Sequence, residues 1–241
     1  MLPYNCVGFK NPILQAPSKL QLLPIFVGIR SIPMLATHQL RFDYGPTKQF
    51  IFPDVHCADR EALLVLGQSG TGKTTFLHLL ALLLTPKSGS VLINQTDLTK
   101  LNAAETAAFR AKNLGIVYQK PHFVSSLSVM DNLLMANYLA NKPQDKARAR
   151  ELAAQLGFGD HLSKKTNQLS QGEQQRVSIA RAVMNQPNVI LADEPTSSLD
   201  DENTSRVVSL LRQQSEQIGA SLLVVTHDQR LKDAFENRVN L

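Results

Sequence analysis

The most specific chemistry in the chain sits in eight consecutive residues, Gly67-Gln68-Ser69-Gly70-Thr71-Gly72-Lys73-Thr74. They satisfy G-x-x-x-x-G-K-[ST] at every fixed position, the pattern of a loop that wraps phosphates. Glycines let backbone N–H groups curl around phosphate oxygens where a Cβ would clash. In such a loop Lys73 reaches the β- and γ-phosphates and the Thr74 hydroxyl ligates Mg²⁺, with Thr75 next along the opening helix turn. By itself the loop predicts a bound nucleoside triphosphate. Two adjacent carboxylates, Asp193 and Glu194, end the apolar run 189–192. Next to a phosphate loop, Asp193 suits the Mg²⁺ hydration shell and Glu194 suits orienting or deprotonating a water. Alone, the pair would mark no more than the exit of a strand.

These residues need elements to hold them. Ala62 to Leu66 is a short apolar run suited to a buried parallel strand, and Thr75 to Leu84 reads as a buried helix that stops near Pro86. A strand, a glycine-rich turn and a helix N-terminus together form an anion site. Further strands are predicted at 39–44, 50–55, 90–94, 114–118, 188–192 and 221–226. Pro53 weakens the second of these. Helices are predicted from a capping box at Asn102-Ala103-Ala104-Glu105 to about Lys112, from Ser128 to about Leu139, and over 145–156, 171–185 and 200–217. No strand pattern appears between Gln119 and Ser170, so a small helical subdomain is expected over about 120–182. The alternation elsewhere predicts an α/β fold whose core is a mostly parallel sheet with helices on both faces. Ligands of such sheets bind beyond the carboxyl ends of the strands, which brings Asp193 and Glu194 beside the phosphate loop.

Leu169-Ser170-Gln171-Gly172-Glu173-Gln174 precedes a helix. Its plain reading is an S-x-x-E capping box, but a cap does not require Gly172, which weakens a helix there. With the loop before it and the Asp193 strand after it, this stretch resembles the LSGGQ signature of ATP-binding-cassette (ABC) ATPases. The resemblance covers Met34 to the C-terminus. It is nearest to bacterial lipoprotein-release and macrolide-export cassettes, through Gly172-Glu173-Gln174-Gln175-Arg176 and Val225-Thr226-His227-Asp228.

The resemblance implies a P-loop NTPase fold of the ABC type, with an N-terminal antiparallel β part and the helical subdomain. It also implies a set of roles. Gln119 is similar to the glutamine that senses Mg²⁺ and water. Ser197-Ser198-Leu199-Asp200 resembles the D-loop, His227 the switch histidine at the γ-phosphate, and Tyr44 the aromatic that stacks on adenine, with Phe42 or Phe50 as substitutes. Read as isolated residues, His227 suits a surface or packing position and Tyr44 suits the core. Gln171 and Glu173 stand where the consensus has Gly and Gln, while Ser170 and Gly172 are kept. The chain ends at Leu241, soon after His227, and a curtailed last lobe is expected. The resemblance further implies ATP and Mg²⁺ as ligands, a homodimer in which Ser170 and Gly172 of one copy cover ATP on the other, and an integral-membrane permease as partner. The expected activity is ATP hydrolysis driving export or extraction, and the expected location is the cytoplasmic face of the inner membrane.

Composition bounds the alternatives. The 241 residues carry a net charge of +5, and +3 of it lies in residues 1–33, where Lys10, Lys19 and Arg30 meet no acidic residue. The remaining +2 is no field for nucleic acid, so none is expected as a partner. Cys6 and Cys57 have no metal spacing, and no run approaches the ~20 apolar residues of a membrane span. Five of the twelve prolines fall in 1–33, which is read as a poorly structured extension before a native start at Met34, leaving 34–241 as the ATPase domain. Soluble relatives acting on chromosomes insert a long coiled coil between Gln119 and Ser170, and here only 51 positions separate them. A cassette that signals through a membrane protein without transport has the same motifs and stands as the alternative reading.

Overall fold

The computed structural model describes residues 32–45, 47–197 and 199–241. The extension expected over 1–33 therefore lies almost wholly outside the described residues. In chain order the elements are β1 (Leu35–Asp43), β2 (Gln49–Ile51), β3 (His56–Cys57), β4 (Ala62–Leu66), α1 (Lys73–Leu80), β5 (Ser88–Ile93), β6 (Thr96–Asp97), α2 (Ala103–Asn113) and β7 (Leu114–Val117). There follow α3 (Val129–Leu139), α4 (Lys146–Gln155), α5 (Gln171–Val183), β8 (Val189–Asp193), α6 (Asp201–Ile218), β9 (Ser221–Thr226) and β10 (Asn237–Asn240).

Two sheets result. The first is antiparallel, in the order β2-β1-β5-β6 with β3 also on β1. The second is wholly parallel, in the order β10-β4-β9-β8-β7. Successive side chains of a strand face opposite ways, and the parallel strands use both faces. Leu64, Leu66, Ile190, Ala192, Leu222 and Val224 join a core shared with α3, α4, α5 and α6. Leu63, Val65, Val189, Leu191, Leu223 and Val225 join a second core with α1 and the antiparallel sheet. The parallel sheet is thus buried on both sides, which is why its strands read as unbroken apolar runs.

Most predicted elements appear within a residue or two. The strand expected at 50–55 stops at Ile51, because Pro53 cannot donate to a ladder. The helix expected to reach Leu84 ends at Leu80, and Leu82 takes a φ of 58°. β10 was not predicted: Asn237-Arg238-Val239-Asn240 holds one apolar residue, and its pairing with β4 makes it a strand. Between β7 and β8 the described residues form α3, α4, α5 and short 3₁₀ turns. Among the described residues no helix is long and apolar enough to cross a membrane.

Candidate functional site

Register builds the site. Leu66 lies beside Thr226 across β4 and β9, and Asp193 lies beside Val225 across β8 and β9. The next residues of the three strands, Gly67, Glu194 and His227, therefore leave the sheet side by side. Backbone bonds lock the exits: Gly67 N donates to Thr226 O at 3.1 Å and Glu194 N to Val225 O at 2.8 Å.

The Gly67–Thr74 loop then turns into α1. Gly72, at the N-cap, has φ 93° and offers no side-chain cap to the first turn. A Cβ at Gly72 would stand 2.6 Å from the Phe50 ring, and one at Gly67 would stand 2.5 Å from Thr71 Oγ1. Both positions need glycine for space, and Gly72 needs it for backbone conformation as well. Lys73 is buried, yet its ammonium is turned back into the site: Nζ donates to Gln68 O at 2.9 Å and lies 3.3 Å from Glu194 Oε1. Thr71 also bonds Gln68 O, through its amide and its hydroxyl.

Glu194 is the hub. Thr226 Oγ1 donates to Glu194 Oε2 at 2.8 Å, and His227 Nδ1 lies 2.8 Å from Oε1 and 2.9 Å from Oε2. An ionised carboxylate only accepts, so the ring proton sits on Nδ1 and Nε2 is left for a ligand. Burial raises the Glu194 carboxyl, but the bonds from His227 and Thr226 outweigh it and hold the group below its ordinary pKa. Glu194 also takes φ 46°, a left-handed conformation that costs roughly 1–2 kcal/mol in a non-glycine residue. Such strain collects where geometry serves a site. Beside it, burial pushes the Asp193 carboxyl up, with the nearby Thr74 hydroxyl opposing. Among the described residues, Asp193 Oδ1 is buried without a hydrogen-bond partner. An orphaned carboxylate oxygen next to an exposed threonine hydroxyl fits a hard cation such as Mg²⁺.

Two further predicted residues reach this cluster. Gln119 Nε2 donates to Ser197 Oγ at 2.8 Å, joining the end of β7 to the segment after Glu194. The Tyr44 hydroxyl lies 3.2 Å from Thr75 Oγ1. Tyr44 is 54% exposed, so it is no core aromatic, while Phe42 and Phe50 pack against the second core.

Ser170, Gly172 and Asp200 form a different cluster. Ser170 caps α5, with its N–H and hydroxyl both donating to Glu173 Oε2, at 2.7 and 2.8 Å. The capping box is therefore present. These bonds hold the half-buried Glu173 carboxyl, whose Oε1 also lies 2.8 Å from His161 Nε2, down at about 2. Asp200 caps α6, accepting from Asn203 N at 2.8 Å. Gly172 and Asp200 line one cavity of about 810 Å³ between α5 and α6, with Arg176 and Arg206. Among the described residues, none of the three is hydrogen-bonded to the 67–75 loop. Sequence reasoning missed the supports of the hub, namely Thr226, Thr196, Asp228 and Arg230. Thr226 and Asp228 carried a signal, standing in the Val225-Thr226-His227-Asp228 stretch with no role assigned to either; Thr196 and Arg230 carried none.

A family model described as ABC transporter matches residues 53–197. The lipoprotein-releasing system ATP-binding protein LolD of Shewanella denitrificans is 40% identical over 183 residues, covering 75% of this chain and 78% of that protein. LolD of Syntrophus aciditrophicus is 38% identical over 190 residues, covering 78% of this chain and 85% of that protein. Among solved structures, the dimeric structure of a bacterial ABC transporter cassette superposes with a TM-score of 0.78 at 28% identity, covering 86% of this chain and 94% of that one. A post-hydrolysis state of an ATP-binding cassette bound to ADP and Pi matches equally well, with a TM-score of 0.78. A family match over more than half of the sequence, joined by relatives of this similarity, makes the chain a member of the ABC transporter family, an ATP-binding and ATP-hydrolysing cassette.

Proposed function

We propose that two copies of this chain enclose ATP between them, the 67–75 loop of one facing Ser170, Gly172 and Asp200 of the other. The observation that carries this reading is the separation of the chemistry into two clusters. Lys73, Asp193, Glu194 and His227 gather beyond the carboxyl ends of the three central parallel strands, while the capped α5 N-terminus and Asp200 line a cavity of their own. Each cluster is half of an anion site, and the dimeric cassette of similar fold supports a partner that brings the halves together.

Within one copy, Lys73 binds the β- and γ-phosphates after exchanging its Gln68 and Glu194 contacts for phosphate oxygens. Thr74, Asp193 and Gln119 are the residues that would hold Mg²⁺, and the cation would neutralise charge on the phosphate oxygens. Glu194, kept ionised by His227 and Thr226, accepts a hydrogen bond from the attacking water and sets its line of approach. His227 Nε2 donates to the γ-phosphate when the ring holds both protons, and Tyr44 stacks on the adenine. The cycle drives a membrane permease from the cytoplasmic face of the inner membrane. A groove of about 490 Å³ between α2, β7, α3 and α5 supports docking of that permease, since Tyr118 in its wall adjoins Gln119. The names of the relatives point to lipoprotein extraction as the work performed.

Glu194→Gln tests the reading. It leaves Thr226 and His227 their acceptor oxygen but removes the anion beside Lys73. Turnover is expected to fall at least ~100-fold, the scale of a lost positioned base, while ATP binds as tightly as before or more so. Turnover near that of the unaltered chain, measured by phosphate release, contradicts the assignment.

A further inference from the structure

Arg230 lies outside every motif, four residues beyond the end of β9. Its guanidinium joins three segments. Nε donates to Asp228 Oδ1 at 2.9 Å and Nη2 to Asp228 Oδ2 at 2.7 Å, a bidentate pair with the residue after His227. Nη2 also donates to Leu199 O at 3.2 Å, and Nη1 pairs with the Asp201 carboxylate in the first turn of α6. Leu199 and Asp201 flank Asp200, so Arg230 holds both neighbours of a residue in the second cluster.

Asp228 passes the contact on to the first cluster. It is nearly buried, and its Oδ2 accepts from Thr196 Oγ1 at 3.1 Å, two residues after Glu194. Its N–H donates to Thr226 Oγ1 at 3.0 Å, the hydroxyl that itself donates to Glu194 Oε2. A buried carboxylate needs a counter-ion, and Arg230 is the cation paired with this one. A planar guanidinium can bind a carboxylate with two parallel bonds and still reach further acceptors, which an ammonium cannot match.

We infer that Arg230 is a positioning residue for ATP hydrolysis, fixing the Thr226–Asp228 turn beside Glu194 to the 199–201 segment so that the two clusters keep a set alignment. The inference rests on the proposed roles of Glu194 and His227. Among the described residues the Arg230 guanidinium bonds to Asp228, Asp201 and Leu199 and to none of Lys73, Glu194 and His227, so it acts through Asp228, Thr226 and the 199–201 segment. Loss of its charge leaves Asp228 unpaired, loosens the Thr226 hydroxyl and frees the segment before α6. The effect belongs in the rate of the chemical step, because the Lys73 loop that binds the phosphates is untouched.

Steady-state ATPase assays on the full chain test this, with Glu194→Gln as the reference for loss of chemistry. Arg230→Gln is expected to lower kcat about tenfold with KM for ATP within about twofold, in the range of coupling between neighbouring charged groups. Arg230→Lys should recover part of the loss, since it restores the charge without the fork. Asp201→Asn alters a carboxylate that is 89% exposed and so leaves folding intact; it should lower kcat about threefold with no change in KM. An Arg230→Gln variant with kcat unchanged overturns the inference. So does an Asp201→Asn variant with kcat unchanged, or a fall in kcat for Arg230→Gln accompanied by a rise in KM of the same fold. Turnover that survives Glu194→Gln instead overturns the assignment of the hub, a failure distinguishable from that of Arg230.

Discussion

Glu194 shows how one residue gathers a site. Its left-handed backbone, its bonds from Thr226 and His227 and its contact with Lys73 all follow from leaving a strand beside two others. Tyr44 shows the same economy at the rim, where an exposed ring is tied by its hydroxyl to Thr75. If Tyr44 stacks on adenine, Tyr44→Ala should raise KM for ATP about tenfold, as loss of a base–aromatic stack of ~1–3 kcal/mol implies, with kcat little changed. Tyr44→Phe should restore the unaltered KM; a tenfold rise in Phe as well would assign the effect to the hydroxyl. At this scale Lys73, Asp193 and His227 were legible as residues that the fold brings together, because each stands at the end of an apolar strand run or in the stretch that follows one. The contacts of Asp228 and Arg230 were not legible, because they depend on which strands lie side by side and on a turn that no spacing announces.

The helices were legible by their ends. Asn102 and Ser128 cap α2 and α3 with full capping boxes, and Ser170 does the same for α5. In α5 the cap and the proposed ligand role share one hydroxyl, and substitutions separate them. Ser170→Ala should destabilise the chain by about 1 kcal/mol, the usual cost of a lost N-cap, and also abolish ATP-dependent association. Ser170→Asn, another good cap, should restore the stability but not the association; recovery of both would leave only the cap.

Acid provides a second probe of the same box. The Glu173 carboxyl is held down from 4.5 to about 2 in the folded chain, so its contribution is complete above pH 4.5 and is lost as pH falls toward 2. The thermal midpoint difference between the unaltered chain and Glu173→Gln should therefore be present at pH 4.5 and shrink away on acidification toward pH 2. A difference that is unchanged down to pH 2 would contradict the capping account. Strands were less legible at the edges than at the centre. β8 and β9 are buried on both faces and read as apolar runs, whereas β10 exists through its pairing with β4 and has no pattern of its own.

Across the whole chain, the parallel sheet positions the Lys73 cluster, and among the described residues no hydrogen bond joins the 67–75 loop to Ser170, Gly172 or Asp200, the last two of which line a cavity of their own. The sequence carried both sets of motifs but not their separation, since distance between clusters is a property of the fold. That separation is the ground for placing ATP between two copies, and a mixing experiment tests it most directly. Lys73→Ala lacks the phosphate-binding half and Ser170→Ala the covering half, so each variant alone should be nearly inactive. A mixed dimer rebuilds one complete site from the intact halves. Equal mixing should therefore restore ATPase activity to on the order of a quarter of the unaltered chain, for random pairing into two-fold dimers. Activity no greater than the sum of the two variants measured separately would contradict a site shared between copies.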